Sequence, residues 1–274
     1  MTLIIAIILG IFQGIAEFLP ISSSGHLVIL QTILDVNQGD VFLPVMLHLG
    51  TLISIAIVFY KDIIAIIGSF FQIVSEVFTK KKIILNTESK VMAVMVIVGT
   101  IPTGLMGILF KDFFESLYES LLAVGIALIV TGFLLMISER CNSGKKDIKD
   151  MTIFDAIIVG IFQGFAIIPG ISRSGSTIVG GLFRGFNARL ATKFSFLMAI
   201  PAILGASLLE GVKVITGNNP IAFSIPLLVG ILLSTATGVA AIKILIRALE
   251  KGKLYYFSYY VWVVGIVLII SQFI

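Results

Sequence analysis

The stretch Gly-Ile-Phe-Gln-Gly-Ile-Ala-Glu-Phe-Leu-Pro-Ile-Ser-Ser-Ser-Gly-His, from Gly10 to His26, occurs twice in this chain. The second copy, from Gly160 to Ser176, reads Gly-Ile-Phe-Gln-Gly-Phe-Ala-Ile-Ile-Pro-Gly-Ile-Ser-Arg-Ser-Gly-Ser. A constant offset of 150 aligns the copies without a gap, and ten of the 17 positions are identical. Both copies keep an apolar lead and a tip of small residues, and they diverge at the reactive side chains. Glu17 stands opposite Ile167, Ser23 opposite Arg173 and His26 opposite Ser176. One copy thus supplies a carboxylate and an imidazole and the other a guanidinium, as expected of a single asymmetric site made from two halves of a duplicated protein.

The composition sets the solvent in which these tips work. Of the 274 residues 58% are hydrophobic and 12% charged, and the mean hydropathy is +1.13, which defines an integral membrane protein. The first residues carry no basic segment, so the apolar N-terminus is expected to be retained rather than cleaved as a signal peptide. A single cysteine, Cys141, excludes an intrachain disulfide, and two histidines with one cysteine argue against zinc. The net charge of +4 points to membrane orientation and not to nucleic acid.

Length separates two kinds of apolar segment, because a bilayer core of ~30 Å needs about 20 residues of helix to cross it. Residues 2–35 are interrupted by Pro20 and the serine tip, and residues 151–184 by Pro169-Gly170 and the second tip. Both are expected to be re-entrant helix-loop-helix segments. Six longer runs, about 41–60, 91–110, 120–138, 190–209, 221–242 and 254–273, are expected to span the membrane, the fourth bent at Pro201. Tyr255, Tyr256, Tyr259, Tyr260 and Trp262 form an interfacial aromatic group at the start of the last run. The fold expected is therefore an all-α membrane protein, a single domain over 1–274. Its first repeat, 2–138, and its second, 151–274, each hold one re-entrant segment and three spans.

Charge supports this arrangement. Of the 19 basic residues, 16 fall in loops on one side: Lys61, Lys80 to Lys82 and Lys90; Arg140, Lys145, Lys146 and Lys149; Arg184, Arg189 and Lys193; Lys243, Arg247, Lys251 and Lys253. The other side holds Lys111 and Lys213 beside Asp35, Asp40, Asp112, Glu115, Glu119 and Glu210. Short cytoplasmic loops are enriched in Lys and Arg, which assigns the first side to the cytoplasm. Three crossings between the repeats invert the second copy, so the tips approach from opposite faces, an arrangement common among transporters. The polar stretches 76–90 and 139–151 become cytoplasmic connectors.

At the tips, Gln13 and Glu17 share a helix face at i, i+4, and an ionisable Glu inside an apolar segment marks a functional site. Gln13 alone would serve equally well to bond a neighbouring helix. Ser22, Ser23, Ser24 and Gly25 suit a helix cap as much as a ligand, but beside Glu17 and His26 they gain chemical meaning, since His exchanges protons near neutral pH. In the second tip Gly170, Ser172, Arg173, Ser174, Gly175 and Thr177 form a plausible diphosphate cradle, with the guanidinium matched to phosphate oxygens. His48, in an apolar run without polar neighbours, reads as a core residue.

At these residues the sequence resembles the integral-membrane undecaprenyl-diphosphate phosphatases of the bacitracin-resistance type. Gln13-Gly-Ile-Ala-Glu17 is similar to their Glu/Gln-x-x-x-Glu motif, followed by the run to His26. Pro169-Gly-Ile-Ser-Arg-Ser-Gly-Ser-Thr177 is similar to their second motif, and Phe194-Ser-Phe-Leu-Met-Ala-Ile-Pro201 also matches. The resemblance implies removal of the terminal phosphate of a C55 polyprenyl diphosphate at the outer face of a bacterial cytoplasmic membrane. It implies catalytic roles for Glu17, Ser23, His26 and Arg173 and substrate contacts from Ser22, Ser24, Gly25, Gly170, Ser172, Ser174, Gly175 and Thr177. It also implies a divalent cation, Mg²⁺ or Ca²⁺, on Glu17 and Gln13, although many members carry Glu at the Gln13 position. Whether His26 attacks phosphorus, activates Ser23 or activates water stays open, as does a homodimer. A lipid transporter or flippase is the alternative reading, since inverted re-entrant repeats suit either.

Overall fold

In a bilayer an unpaired peptide group has no water to turn to, so a chain that breaks its helices at membrane depth must supply partners for every loose end. The computed structural model describes residues 2–34, 42–79, 84–141, 144–216 and 224–274, with side chains 42, 44, 141 and 210–216 excepted. Among them the regular structure is helical throughout: twelve α-helices, two single-turn 3₁₀ helices at Glu139–Cys141 and Ile148–Asp150, and no strand beyond one isolated bridge between Lys146 and Phe186.

The first broken helix consists of α1 (Leu3–Phe18) and α2 (Ser23–Ile33), and the second of α8 (Ile153–Phe165) and α9 (Arg173–Phe183). Between them lie α3 (Phe42–Val58), α4 (Tyr60–Phe78), α5 (Glu88–Leu109), α6 (Lys111–Tyr118) and α7 (Leu121–Ser138). After them come α10 (Ala188–Thr216), α11 (Ile225–Glu250) and α12 (Tyr256–Ile270). Among the described residues four segments are long and apolar enough to cross a bilayer: α5, α7, Ala188–Leu209 within α10, and α11. A fifth arises if Val45–Val58 and Tyr60–Phe78 are counted together, but they are bent by 89°. The chain is thus a multi-pass helical membrane protein.

Two expectations change. The last run, 254–273, forms a helix of only 15 residues, about 22 Å long and so short of the bilayer core. Residues 61–75, placed between the first span and the connector 76–90 with no helix assigned, and the first residues of that connector form α4, Tyr60–Phe78. Asp62 and Glu76 break the apolar pattern there, yet they serve as ties: Lys193 Nζ donates to Asp62 Oδ1 at 2.8 Å, Lys90 Nζ to Glu76 Oε1 at 2.6 Å, and Ser69 Oγ to Ser89 Oγ at 2.9 Å. Charged residues therefore staple α4 to α5 and α10. Lys80 to Lys82, Asp35 and Asp40 lie outside the described residues.

The helices pack through small residues. α1 lies along α11 and α8 along α5, and at equivalent positions of the two copies the backbones meet. A Cβ added to Gly10 would stand 2.4 Å from the Gly230 carbonyl oxygen, and one added to Gly160 2.1 Å from that of Gly99. Without a hydrophobic drive between helices in lipid, such close approach carries the association. Behind the tips Phe18, Leu135, Ile178, Phe194, Phe196 and Met198 form a closed core, while Ile57, Ile101, Leu105, Leu208, Leu232 and Val263 stay exposed, as a surface solvated by lipid requires. At the end of α9 away from its tip, the fully buried Asp155 accepts from Lys146 Nζ at 3.1 Å and Arg184 Nε at 2.7 Å, which anchors the connector 144–152.

Gly160→Ala is expected to force α5 and α8 apart at a cost of about 1–3 kcal/mol, as for other overpacked cores. Gly104→Ala, with no neighbour within 4 Å of its Cβ, should hold or raise the midpoint. Thermal unfolding in detergent compares them.

Candidate active site at the two tips

The two tips are closed by the same device. Ser22 Oγ accepts the backbone N–H of Gly25 at 3.2 Å at the start of α2, and Ser172 Oγ accepts that of Gly175 at 3.1 Å at the start of α9. The first N–H groups of a helix have no intrahelical partner, and a side-chain oxygen at the cap supplies one. Both serines are buried, so these two expected substrate contacts are first of all caps; Ser24 Oγ and Ser174 Oγ each lie 3.3 Å from the capping oxygen. Ser22 itself takes φ +69°, the one positive φ outside glycine among the described residues.

The tips then meet. A Cβ on Gly25 would come within 2.9 Å of Gly170 Cα, and Gly170 adopts φ +98°, so both positions exclude a side chain. From α7, Thr131 Oγ1 donates to the Gly170 carbonyl at 2.8 Å and accepts the Ser172 N–H at 3.0 Å. From α6, the Tyr118 hydroxyl reaches the second copy and donates to the Ile167 carbonyl at 3.5 Å. Thr177 lies behind the second tip, its Oγ1 donating to the Arg173 carbonyl at 2.9 Å and lying 2.5 Å from Ser195 Oγ.

Glu17 is the centre of the junction. Its Oε2 accepts from Gln13 Nε2 at 2.9 Å and from Ser23 Oγ at 2.6 Å, and its Oε1 accepts from Arg173 Nη2. The Glu17 and Arg173 side chains are 4% and 15% exposed, so the pair is held almost wholly away from the surface. Two buried atoms beside it have no partner: Gln13 Oε1, an acceptor, and Arg173 Nη1, a donor. An anionic oxygen would satisfy the donor, and a cation would suit the acceptor.

The two histidines take different partners. His48, expected in the core, has Nε2 only 3.5 Å from Glu17 Oε2, because α3 packs beside α1 and turns this face inward. His26, expected among the reacting groups, has Nδ1 on the Ser22 carbonyl at 2.9 Å and Nε2 on the Tyr260 hydroxyl at 2.9 Å; it bonds neither Glu17 nor Ser23. His48, Thr131, Tyr118, Tyr260 and Ser195 are additions from other helices. An ionisable residue in an apolar run was the signal for His48.

Among the described residues no three His, Cys, Asp or Glu side chains cluster as a closed metal site would require. The oxygens nevertheless fit a hard cation that keeps most of its shell for water and phosphate: one carboxylate at Glu17 and the unpartnered carbonyl oxygen of Gln13 beside it.

Broken helices that bring a guanidinium, a carboxylate and a hydroxyl together inside a multi-pass membrane protein define a class of lipid-embedded site for an anionic headgroup. The chain belongs to the bacitracin resistance protein BacA family, whose profile matches residues 6–267. It is 53% identical over 272 residues to a protein of Alkaliphilus metalliredigens named undecaprenyl-diphosphatase, covering 98% of both chains. Proteins of the same name from Halothermothrix orenii, 46% identical over 96% of both chains, and Carboxydothermus hydrogenoformans, 42% identical over 97% of this chain and 96% of that one, are similar along their whole length.

Arg173→Ala leaves Glu17 buried without its cation and should cost about 3–5 kcal/mol. Adding Glu17→Gln should return most of that loss. Chemical or thermal unfolding of the two variants in detergent checks the pair.

Proposed function

We propose that this chain hydrolyses undecaprenyl diphosphate to undecaprenyl phosphate and inorganic phosphate, returning the lipid carrier to cell-wall synthesis. The names of its full-length relatives support the activity, and one observation supports the site: Arg173 Nη1 is unpartnered beside a hydroxyl already bonded to a carboxylate. A transporter needs the guanidinium but has no use for the Ser23–Glu17 pair.

The chemistry follows from the geometry. Phosphoryl transfer needs an aligned nucleophile and neutralised equatorial oxygens. Ser23 Oγ attacks the terminal phosphorus, its proton passing to Glu17 Oε2, while the bond from phosphorus to the bridging oxygen breaks and undecaprenyl phosphate leaves. Water then attacks the phosphoserine, and the Ser23 oxygen leaves phosphorus and regains a proton. Arg173 binds the terminal phosphoryl oxygens through Nη1 and turns from its pairing with Glu17 as the headgroup arrives. Ser24 and Ser174 stand 3.3 Å from the capping oxygens, and the cap serines Ser22 and Ser172 hold the helix ends that face the headgroup. A Mg²⁺ or Ca²⁺ ion held by Glu17 and Gln13 would supply further neutralisation of the phosphate charge.

The inverted-repeat arrangement supports an outward-facing site. α2 and α9 have the same length at an offset of 150, and α1 on α11 matches α8 on α5. Eleven residues of α9 separate the Arg173 tip from the basic end at Arg184, about 16 Å of helix, or half of the bilayer core. With the basic end in the cytoplasm of a bacterial cell, the tips sit near the midplane and open to the outer face.

Purified protein should release phosphate from a short-chain isoprenyl diphosphate and lose this on chelation. Glu17→Gln should abolish metal-stimulated release, whereas Gln13→Ala should keep a measurable fraction. Arg173→Lys, which keeps the charge but loses the planar fork, should fall by roughly 10². An inert wild type with metal present would sink the phosphatase reading. For the orientation, Ser23→Cys and Ser172→Cys, in a chain with Cys141→Ser, should react with an impermeant thiol reagent from outside; reaction from the cytoplasm alone would overturn it.

A further inference from the structure

We propose that Tyr260 is a positioning residue that fixes His26 as the tautomer with its proton on Nδ1 and its lone pair on Nε2. The proposal rests on the phosphatase reading only for its kinetic consequence. His26 is 5% exposed and both of its nitrogens are engaged. A backbone carbonyl can only accept, so the 2.9 Å bond to the Ser22 oxygen places the proton on Nδ1. In the neutral ring Nε2 is then an acceptor, and the Tyr260 hydroxyl at 2.9 Å donates to it.

Packing makes this arrangement specific. The Tyr260 ring lies parallel to the imidazole, within 8°, at a centroid separation of 5.5 Å, and Phe12 covers it from α1 at 5.2 Å. Two residues further along α12, Trp262 Nε1 donates to the Ile129 carbonyl of α7 at 3.1 Å. At Gly265 a side chain would meet the Gly125 carbonyl oxygen at 2.9 Å, so α12 is seated closely on α7. Tyr256, Tyr259 and Tyr260 of the same aromatic group are all about half exposed, but Tyr260 directs its oxygen to His26 of the first tip. An aromatic belt residue therefore contributes to the site.

The Tyr260 hydroxyl occupies the place from which a water or substrate O–H would donate to Nε2. It keeps that nitrogen in its basic form and aimed until the reactant replaces it. Loss of the hydroxyl frees the ring to turn or change tautomer while the headgroup contacts of Arg173 remain, so turnover should suffer and substrate affinity should not.

The chain has two histidines, so ¹⁵N-histidine labelling of the full protein in detergent gives signals from His26 and His48 alone, assigned through His48→Gln. The wild type should show a protonated Nδ1 and an unprotonated Nε2 at His26. Tyr260→Phe keeps the stacked ring; it should shift the Nε2 resonance and lower kcat by about tenfold or more, with KM within about twofold. Tyr259→Phe should leave both unchanged, and a matching unfolding midpoint establishes that Tyr260→Phe is folded. Should that midpoint drop, Tyr260→Trp, which restores an N–H donor on a larger ring, must recover the Nε2 shift. Either readout left unmoved by Tyr260→Phe overturns the proposal. A wild type that releases no phosphate sinks the phosphatase reading instead, with the nitrogen signals still reporting on the Tyr260 bond.

Discussion

The Glu17–Arg173 pair joins two interrupted helices in a place where neither charge could stand alone. Isolating either in a low-dielectric medium is costly, and their attraction offsets this only when the geometry is good and the remaining donors and acceptors are met. Much of the surrounding structure answers that demand. Gln13 and Ser23 donate to the carboxylate, the Ser22 and Ser172 hydroxyls close the helix ends, and Thr131 reaches from α7 to bond both sides of the Gly170–Ser172 turn. Gly25 and Gly170 let the tips come close enough for the pair to form at all.

Duplication supplies the symmetry, and divergence supplies the charge. The glutamine survives in both copies, but Gln163 donates to Thr103 at 3.3 Å and has no carboxylate to serve, because Ile167 stands where Glu17 would be. Two faithful copies would have faced carboxylate with carboxylate or guanidinium with guanidinium, each repulsive at this depth. Splitting the two signs between the copies turns a repeated scaffold into one polar site with an acceptor side and a donor side.

The broken helices, their constant offset and the members of the ion pair were all legible in the sequence, because proline, glycine and serine interrupt long apolar runs at just those points. α4 was not, since Asp62 and Glu76 resemble connector residues until Lys193 and Lys90 are found opposite them. His48 was misread for a related reason. Nearness along the chain put His26 with Ser23 and left His48 alone, whereas the site draws on neighbours in space: α3 delivers His48 to Glu17, and α12 delivers Tyr260 to His26. Thr131 and Tyr118 carry no local signature, and only the packing of α6 and α7 against the tips gives them a part.

The backbone contact between Gly25 and Gly170 has a consequence for how the protein is made. The carboxylate half of the site enters the membrane at the beginning of synthesis, and its cation is encoded more than half a chain later. In the interval Glu17 has no guanidinium to face. The ion pair can form only when the second hairpin seats against α7 and brings Arg173 to the first tip. Docking of α8 and α9 is thus also the event that completes the site, so a partly inserted protein lacks the paired arrangement of the finished one.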